Sequence, residues 1–88
     1  MCYKDVSFWC PDTFHENDFY DIVRSFSGDL CEQVNLLDTF VQPKSGRVSK
    51  CYRITYRSMD RTLTNQEIDE VHEQLRLNLV DRLNVVLR

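Results

Sequence analysis

Lys44-Ser45-Gly46-Arg47-Val48-Ser49-Lys50-Cys51-Tyr52-Arg53-Ile54-Thr55-Tyr56-Arg57-Ser58-Met59-Asp60-Arg61-Thr62-Leu63-Thr64 holds a turn, an alternating run and a helix start in one stretch. In its centre Tyr52, Ile54 and Tyr56 fall on one side of an extended chain and Cys51, Arg53, Thr55 and Arg57 on the other. That period of two predicts a strand over Val48 to Arg57 with one buried face. Pro43, Ser45 and Gly46 form a turn before it, so the branched and aromatic run Leu30 to Val41 reads as the other arm of a hairpin. Leu36 and Leu37 are adjacent, which breaks the alternation once, as a bulge does. At the far end Thr64 and Glu67 make a capping box, and Ile68, Val71, Leu75, Leu79 and Leu83 then recur at helical spacing. Glu67, Asp69, Glu70 and Glu73 crowd the first half of that helix, where its dipole favours anions. Asn84 ends it, and Val85-Val86-Leu87 reads as a last strand.

Toward the N-terminus, Val6, Phe8 and Cys10 alternate with Asp5, Ser7 and Trp9, so Tyr3 to Cys10 is a strand that Pro11-Asp12 stops. Asn17 or Asp18 is the expected cap of a short helix that buries Phe19, Ile22, Val23 and Phe26 and ends at Gly28. The element order is therefore β-α-β-β-α-β. This is an α+β, ferredoxin-like fold: a four-stranded antiparallel sheet with two helices on one face. The first and third strands become the central pair. Val6, Phe8, Tyr52, Ile54 and Tyr56 face the helices, while Asp5, Ser7, Trp9, Arg53, Thr55 and Arg57 are left on the open face.

Residues 1–88 read as one domain, and as a fragment of a longer chain. A content of 42% hydrophobic and 28% charged residues with two Gly and two Pro is that of a folded chain rather than a disordered one. No apolar run approaches membrane-spanning length, and Met1 to Val6 enter a strand pattern without the features of a signal peptide. Cys2, Cys10, Cys31 and Cys51 are far apart and show no zinc-ligand spacing with His15 or His72, so they read as small apolar residues in a reducing compartment, and no metal site is expected. His72, beside the apolar stripe of the long helix, reads as a boundary histidine. Ser7, Ser25, His15 and the acids offer no nucleophile arrangement, phosphate loop or carboxylate pair, so catalysis by these residues is not expected.

Charge is segregated. Lys44, Arg47, Lys50, Arg53, Arg57 and Arg61 stand against Asp60 alone, a local net of +5 in a chain of net −3. An exposed Trp9 near Arg53 and Arg57 on an uncovered sheet fits single-stranded RNA, whose bases stack on aromatic rings and whose phosphates are neutralised by Lys and Arg. The competing readings are a protein or domain interface and a small-molecule regulatory site, with Arg53 and Arg57 paired to Asp5, Asp38 or Asp60 on a solvated sheet.

Four motifs narrow these choices. Lys4-Asp5-Val6-Ser7-Phe8, Leu36-Leu37-Asp38-Thr39-Phe40, Cys51-Tyr52-Arg53-Ile54-Thr55-Tyr56-Arg57 and Asp60-Arg61-Thr62-Leu63-Thr64 resemble, in order and spacing, the signatures of the ferredoxin-fold anticodon-binding domain of phenylalanyl-tRNA synthetases. Asn17 to Arg24 and Cys51 to Arg57 are most similar to the C-terminal domain of the single-chain mitochondrial enzyme. The resemblance implies a non-catalytic module that holds the anticodon end of tRNA(Phe) on the open sheet face. A separate class II catalytic domain of the same chain, using ATP and Mg, would activate phenylalanine in the mitochondrial matrix, and the anticodon-binding module would swing relative to it as tRNA binds. The implied partners are tRNA(Phe) and the catalytic domain, not DNA or a membrane. Family contacts to anticodon bases fall here on Ser7, Asp38 and Phe40, with Trp9, Arg53, Arg57, Lys4 and Asp5 completing the expected tRNA-binding set. Phe40 stands where the bacterial pattern has Tyr, keeping the stacking surface without the hydroxyl. Lys4 stands where Arg is frequent, keeping charge without the planar fork. The alternative is an interaction or regulatory domain of a synthetase-like protein that keeps the fold without tRNA binding.

Overall fold

The computed structural model describes the backbone of residues 2–57 and 64–88, apart from the side chains of Cys2 and Asp29. Asp60, Arg61 and the Asp60 to Leu63 part of the last motif lie outside the described residues. The elements are β1 (Cys2–Cys10), α1 (Glu16–Ser27), a short 3-10 turn (Gly28–Leu30), β2 (Cys31–Val41), β3 (Val48–Tyr56), α2 (Asn65–Leu83) and β4 (Val86–Leu87). The sheet order is β2-β3-β1-β4 with every pairing antiparallel, the ferredoxin-like arrangement with β1 and β3 at its centre.

One face of the sheet forms the core. Val6, Phe8, Tyr52, Ile54 and Tyr56 are buried with Phe19, Ile22 and Val23 of α1 and Ile68, Leu75 and Leu79 of α2. Phe19 stacks on Tyr52 with ring centroids 4.2 Å apart, and Phe8 lies 5.9 Å from the same ring. Phe26 and Val71 are half-buried at its margin. The Tyr52 hydroxyl is buried and has no hydrogen-bond partner among the described residues.

The expected breaks in regularity have physical counterparts. The β2–β3 register shifts between Leu36 and Asp38, so Leu37 is the extra residue, and it shifts again between Cys31 and Gln33. Asn84 takes a left-handed conformation at φ 57° and its N–H donates to the Val80 carbonyl, ending α2. Thr64 Oγ1 accepts from the Glu67 N–H at 3.1 Å, and its hydroxyl donates to Glu67 Oε1 at 3.2 Å. The start of α1 differs from the expected cap at Asn17 or Asp18, because His15 is the residue before the first turn. The Phe14 N–H donates to the Pro11 carbonyl at 3.0 Å, and the Phe14 ring packs 5.5 Å from Phe8, so the chain turns into the helix early. Asp18 then sits inside the first turn, where an acid complements the helix dipole.

Candidate nucleic-acid interface

The strand register lays the open face out in rows. Tyr3, Thr55 and Gln33 form the first row; Asp5, Arg53 and Asn35 the second; Ser7, Cys51 and Asp38 the third; Trp9, Ser49 and Phe40 the fourth. The Leu37 bulge decides this layout. Without it, the residue after Leu36 would be out of phase and Asp38 and Phe40 would point toward the helices. Ser7, Asp38, Trp9 and Phe40, four of the expected tRNA-binding residues, are thus neighbours in two adjacent rows. Phe40 is 42% exposed, whereas Trp9, expected to be exposed, is half-buried, the two rings meeting edge-on at a centroid distance of 6.2 Å.

The remaining expected residues are arranged differently. Lys4 points to the helical side, where its Nζ lies 2.7 Å from Asp69 Oδ1 of α2; the alternation that puts Ser7 on the open face puts Lys4 on the other. Asp5 and Arg53 are on the open face but bind each other. Arg53 Nε and Nη2 donate to Asp5 Oδ1 and Oδ2 at 2.9 and 3.2 Å, and this fork holds the Asp5 carboxyl below its ordinary pKa. The same guanidinium lies 4.2 Å from the Tyr3 ring centroid. Arg57 Nη1 donates to Glu32 Oε1 at 3.0 Å, a partner not among the acids considered from sequence. Lys50 turns to the helical side, 3.7 Å from Glu16 Oε2. The basic stretch is therefore not one free cationic patch: among its described members Lys50, Arg53 and Arg57 are ion-paired.

Unneutralised positive charge collects at the fourth row. Arg47 Cζ lies 4.8 Å from the Trp9 ring centroid, and Arg88 Cζ lies 5.3 Å from Trp9 and 5.5 Å from Phe40. Neither arginine has an ion-pair partner among the described residues. Arg88 was not foreseen because its signal is topological. The two-residue strand β4 pairs Val86 with Trp9 and Leu87 with Phe8, which carries Arg88 to the open face. Beyond Trp9 a cleft of about 650 Å³, lined by Cys10, Asp12, Phe14, Arg47, Lys50 and Val86 among others, lies at the end of the sheet; Ser7, Asp38, Phe40 and Arg88 do not line it.

The whole chain, residues 1–88, matches the family model described as ferredoxin-fold anticodon binding domain. The chain belongs to that family. It is 55% identical over 89 residues to a protein named phenylalanine–tRNA ligase, mitochondrial, of Dictyostelium discoideum, covering 99% of this chain and 20% of that protein. It is 48% identical over 87 residues to the phenylalanine–tRNA ligase, chloroplastic/mitochondrial, of Arabidopsis thaliana, again over 99% of this chain and 20% of the relative. A more distant relative at 37% over 90 residues is the human ferredoxin-fold anticodon-binding domain-containing protein 1, of which the match covers 14%. The chain thus spans about a fifth or less of the length of these curated relatives.

His72 and Tyr56 are buried beneath the sheet on its helical side. His72 is buried, and burial holds its pKa below the ordinary value; its Nδ1 is hydrogen-bonded to the Tyr56 hydroxyl at 3.0 Å. Burial likewise pushes the Tyr56 hydroxyl up to about 12. Cys10, Cys31 and Cys51 are free thiols, and among the described residues no group of three His, Cys, Asp or Glu side chains could hold a metal.

Proposed function

We propose that this chain is the non-catalytic tRNA(Phe) anticodon-binding module of a mitochondrial phenylalanine–tRNA ligase. In this reading Phe40 and Trp9 offer stacking surfaces to unpaired anticodon bases, and the Asp38 carboxylate and Ser7 hydroxyl hydrogen-bond their edges. Arg53 and Arg57, held by acids, flank the contact and add little free charge. Lys4 and Asp5 act mainly through their partners Asp69 and Arg53. A catalytic domain elsewhere in the same chain holds ATP and Mg and joins phenylalanine to the tRNA; none of that chemistry falls to these residues. The observation that carries the reading is the juxtaposition of Ser7, Asp38, Trp9 and Phe40 in two rows of an uncovered sheet. Identities of 46–55% to proteins named as mitochondrial phenylalanine–tRNA ligases support the choice of tRNA and compartment.

The test is filter binding of the full-length protein to tRNA(Phe) and to the same transcript with a replaced anticodon. Tighter binding to the first, lost on Phe40→Ala, is expected. Equal affinity for the two transcripts overturns the reading and leaves an interaction domain that keeps the fold.

A further inference from the structure

We infer that Arg88 is the phosphate anchor of this face, fixed in place to receive the backbone of a nucleotide stacked at Phe40. The assignment rests on the RNA reading above and adds a residue to it. Three sets of contacts set the position of Arg88. Its backbone N–H donates to the Ser7 carbonyl at 2.9 Å, its Nη1 donates to Ser49 Oγ at 3.0 Å, and its guanidinium lies against both Trp9 and Phe40. Ser49 is itself buried between the two aromatic residues of its row, so the hydroxyl that orients the guanidinium is a fixed acceptor. A guanidinium has five N–H donors. One is used on Ser49, and none meets a carboxylate among the described residues. A planar cation held against aromatic rings with donors to spare matches the oxygens of a phosphodiester, and its ordering is largely complete before RNA arrives.

The contrast with Arg53 makes the assignment specific. Arg53 also lies beside an aromatic ring, that of Tyr3, but its Nε and Nη2 both donate to the Asp5 carboxylate. Arg88 is joined to Ser7, Trp9, Ser49 and Phe40 at once, and so couples the phosphate contact to the positions that contact bases.

The experiment measures affinity of the full-length protein for a tRNA(Phe) transcript over a range of KCl concentrations, for the parental protein, Arg88→Gln and Arg88→Lys. Arg88→Gln should weaken binding about tenfold. It should also lower the slope of log affinity against log salt by about 0.7, the value for one phosphate contact to a single strand. Arg88→Lys keeps the charge but loses the fork, so it should retain the parental slope with intermediate affinity; this also separates a lost contact from a lost fold, with circular dichroism of each variant as the check. Parental affinity and slope in Arg88→Gln, or weaker binding with an unchanged slope, overturns the assignment. Failure of the parental protein to prefer tRNA(Phe) over the anticodon-replaced transcript instead overturns the RNA reading beneath it.

Discussion

Arg53 and Arg88 each lay a guanidinium beside an aromatic ring on the same sheet face, Arg53 4.2 Å from the centroid of Tyr3 and Arg88 5.3 Å from that of Trp9. They differ in what faces the charge. At the Tyr3 end, Asp5 takes two donors of Arg53 and Glu32 takes one of Arg57. At the Trp9 end, the arginines meet rings and a hydroxyl, with no carboxylate within ion-pair distance among the described residues. The lesson is that positive residues counted along a sequence are not positive charge offered to a polyanion. Pairing across strands decides which remains available, and here it leaves one end of the face polar and closed and the other aromatic and cationic.

The largest expected effect separates the two ends by stacking. Phe40→Ala should weaken tRNA(Phe) binding by roughly 1–3 kcal/mol, whereas Tyr3→Ala, at the neutralised end, should leave the affinity near parental. Comparable losses from both, measured by filter binding, would remove the distinction. Next comes charge. Asp5→Asn deletes the acid that occupies Arg53, so it should raise the salt slope by at most about 0.7, one phosphate contact. A salt titration that gives the parental slope would mean that Arg53 is kept from RNA by its place in the face and not by its partner.

Two smaller effects concern the support beneath the face. Tyr52→Phe removes a buried hydroxyl that has no partner among the described residues, and a buried unpaired hydroxyl costs about 1–3 kcal/mol. The variant should therefore melt at the parental temperature or above it, with tRNA affinity unchanged; a lower melting temperature would reveal a partner for that hydroxyl. His72 packs against Tyr56 on the helical side, behind the Tyr3 end. Its folded pKa is lowered by burial, so the unfolded chain binds the proton more readily. Its contribution to stability is full above the ordinary value of 6.5 and is lost as pH falls through that value toward the lower folded one. Thermal melts from pH 8 to 5 should show this decline in the parental chain and a flatter profile in His72→Gln; identical profiles would assign the decline to other groups.

The fold was legible because its signals are local. Alternation in β1 and β3, the spacing of Ile68, Val71, Leu75 and Leu79, the Thr64 cap and the Leu36–Leu37 irregularity each arise within a few residues, and each has its counterpart in the structure. The face was legible in part. Alternation placed Asp5, Ser7 and Trp9, and the bulge brought Asp38 and Phe40 to the same side. Lys4 went to the helical side by that same period, a consequence that the motif resemblance obscured. The pairing of Arg57 with Glu32 depends on where β2 begins against β3, and the arrival of Arg88 at Trp9 depends on a two-residue strand. Both are set by long-range register, which short windows do not carry.

The most direct test is chemical-shift mapping of the 88-residue chain with the isolated anticodon stem-loop of tRNA(Phe). The predicted result is that the largest amide and side-chain perturbations fall on Ser7, Trp9, Asp38, Phe40, Ser49 and Arg88, with Tyr3, Gln33 and Thr55 little changed. Perturbations centred on the Tyr3 end of the sheet, or on the outer surfaces of α1 and α2, would contradict it.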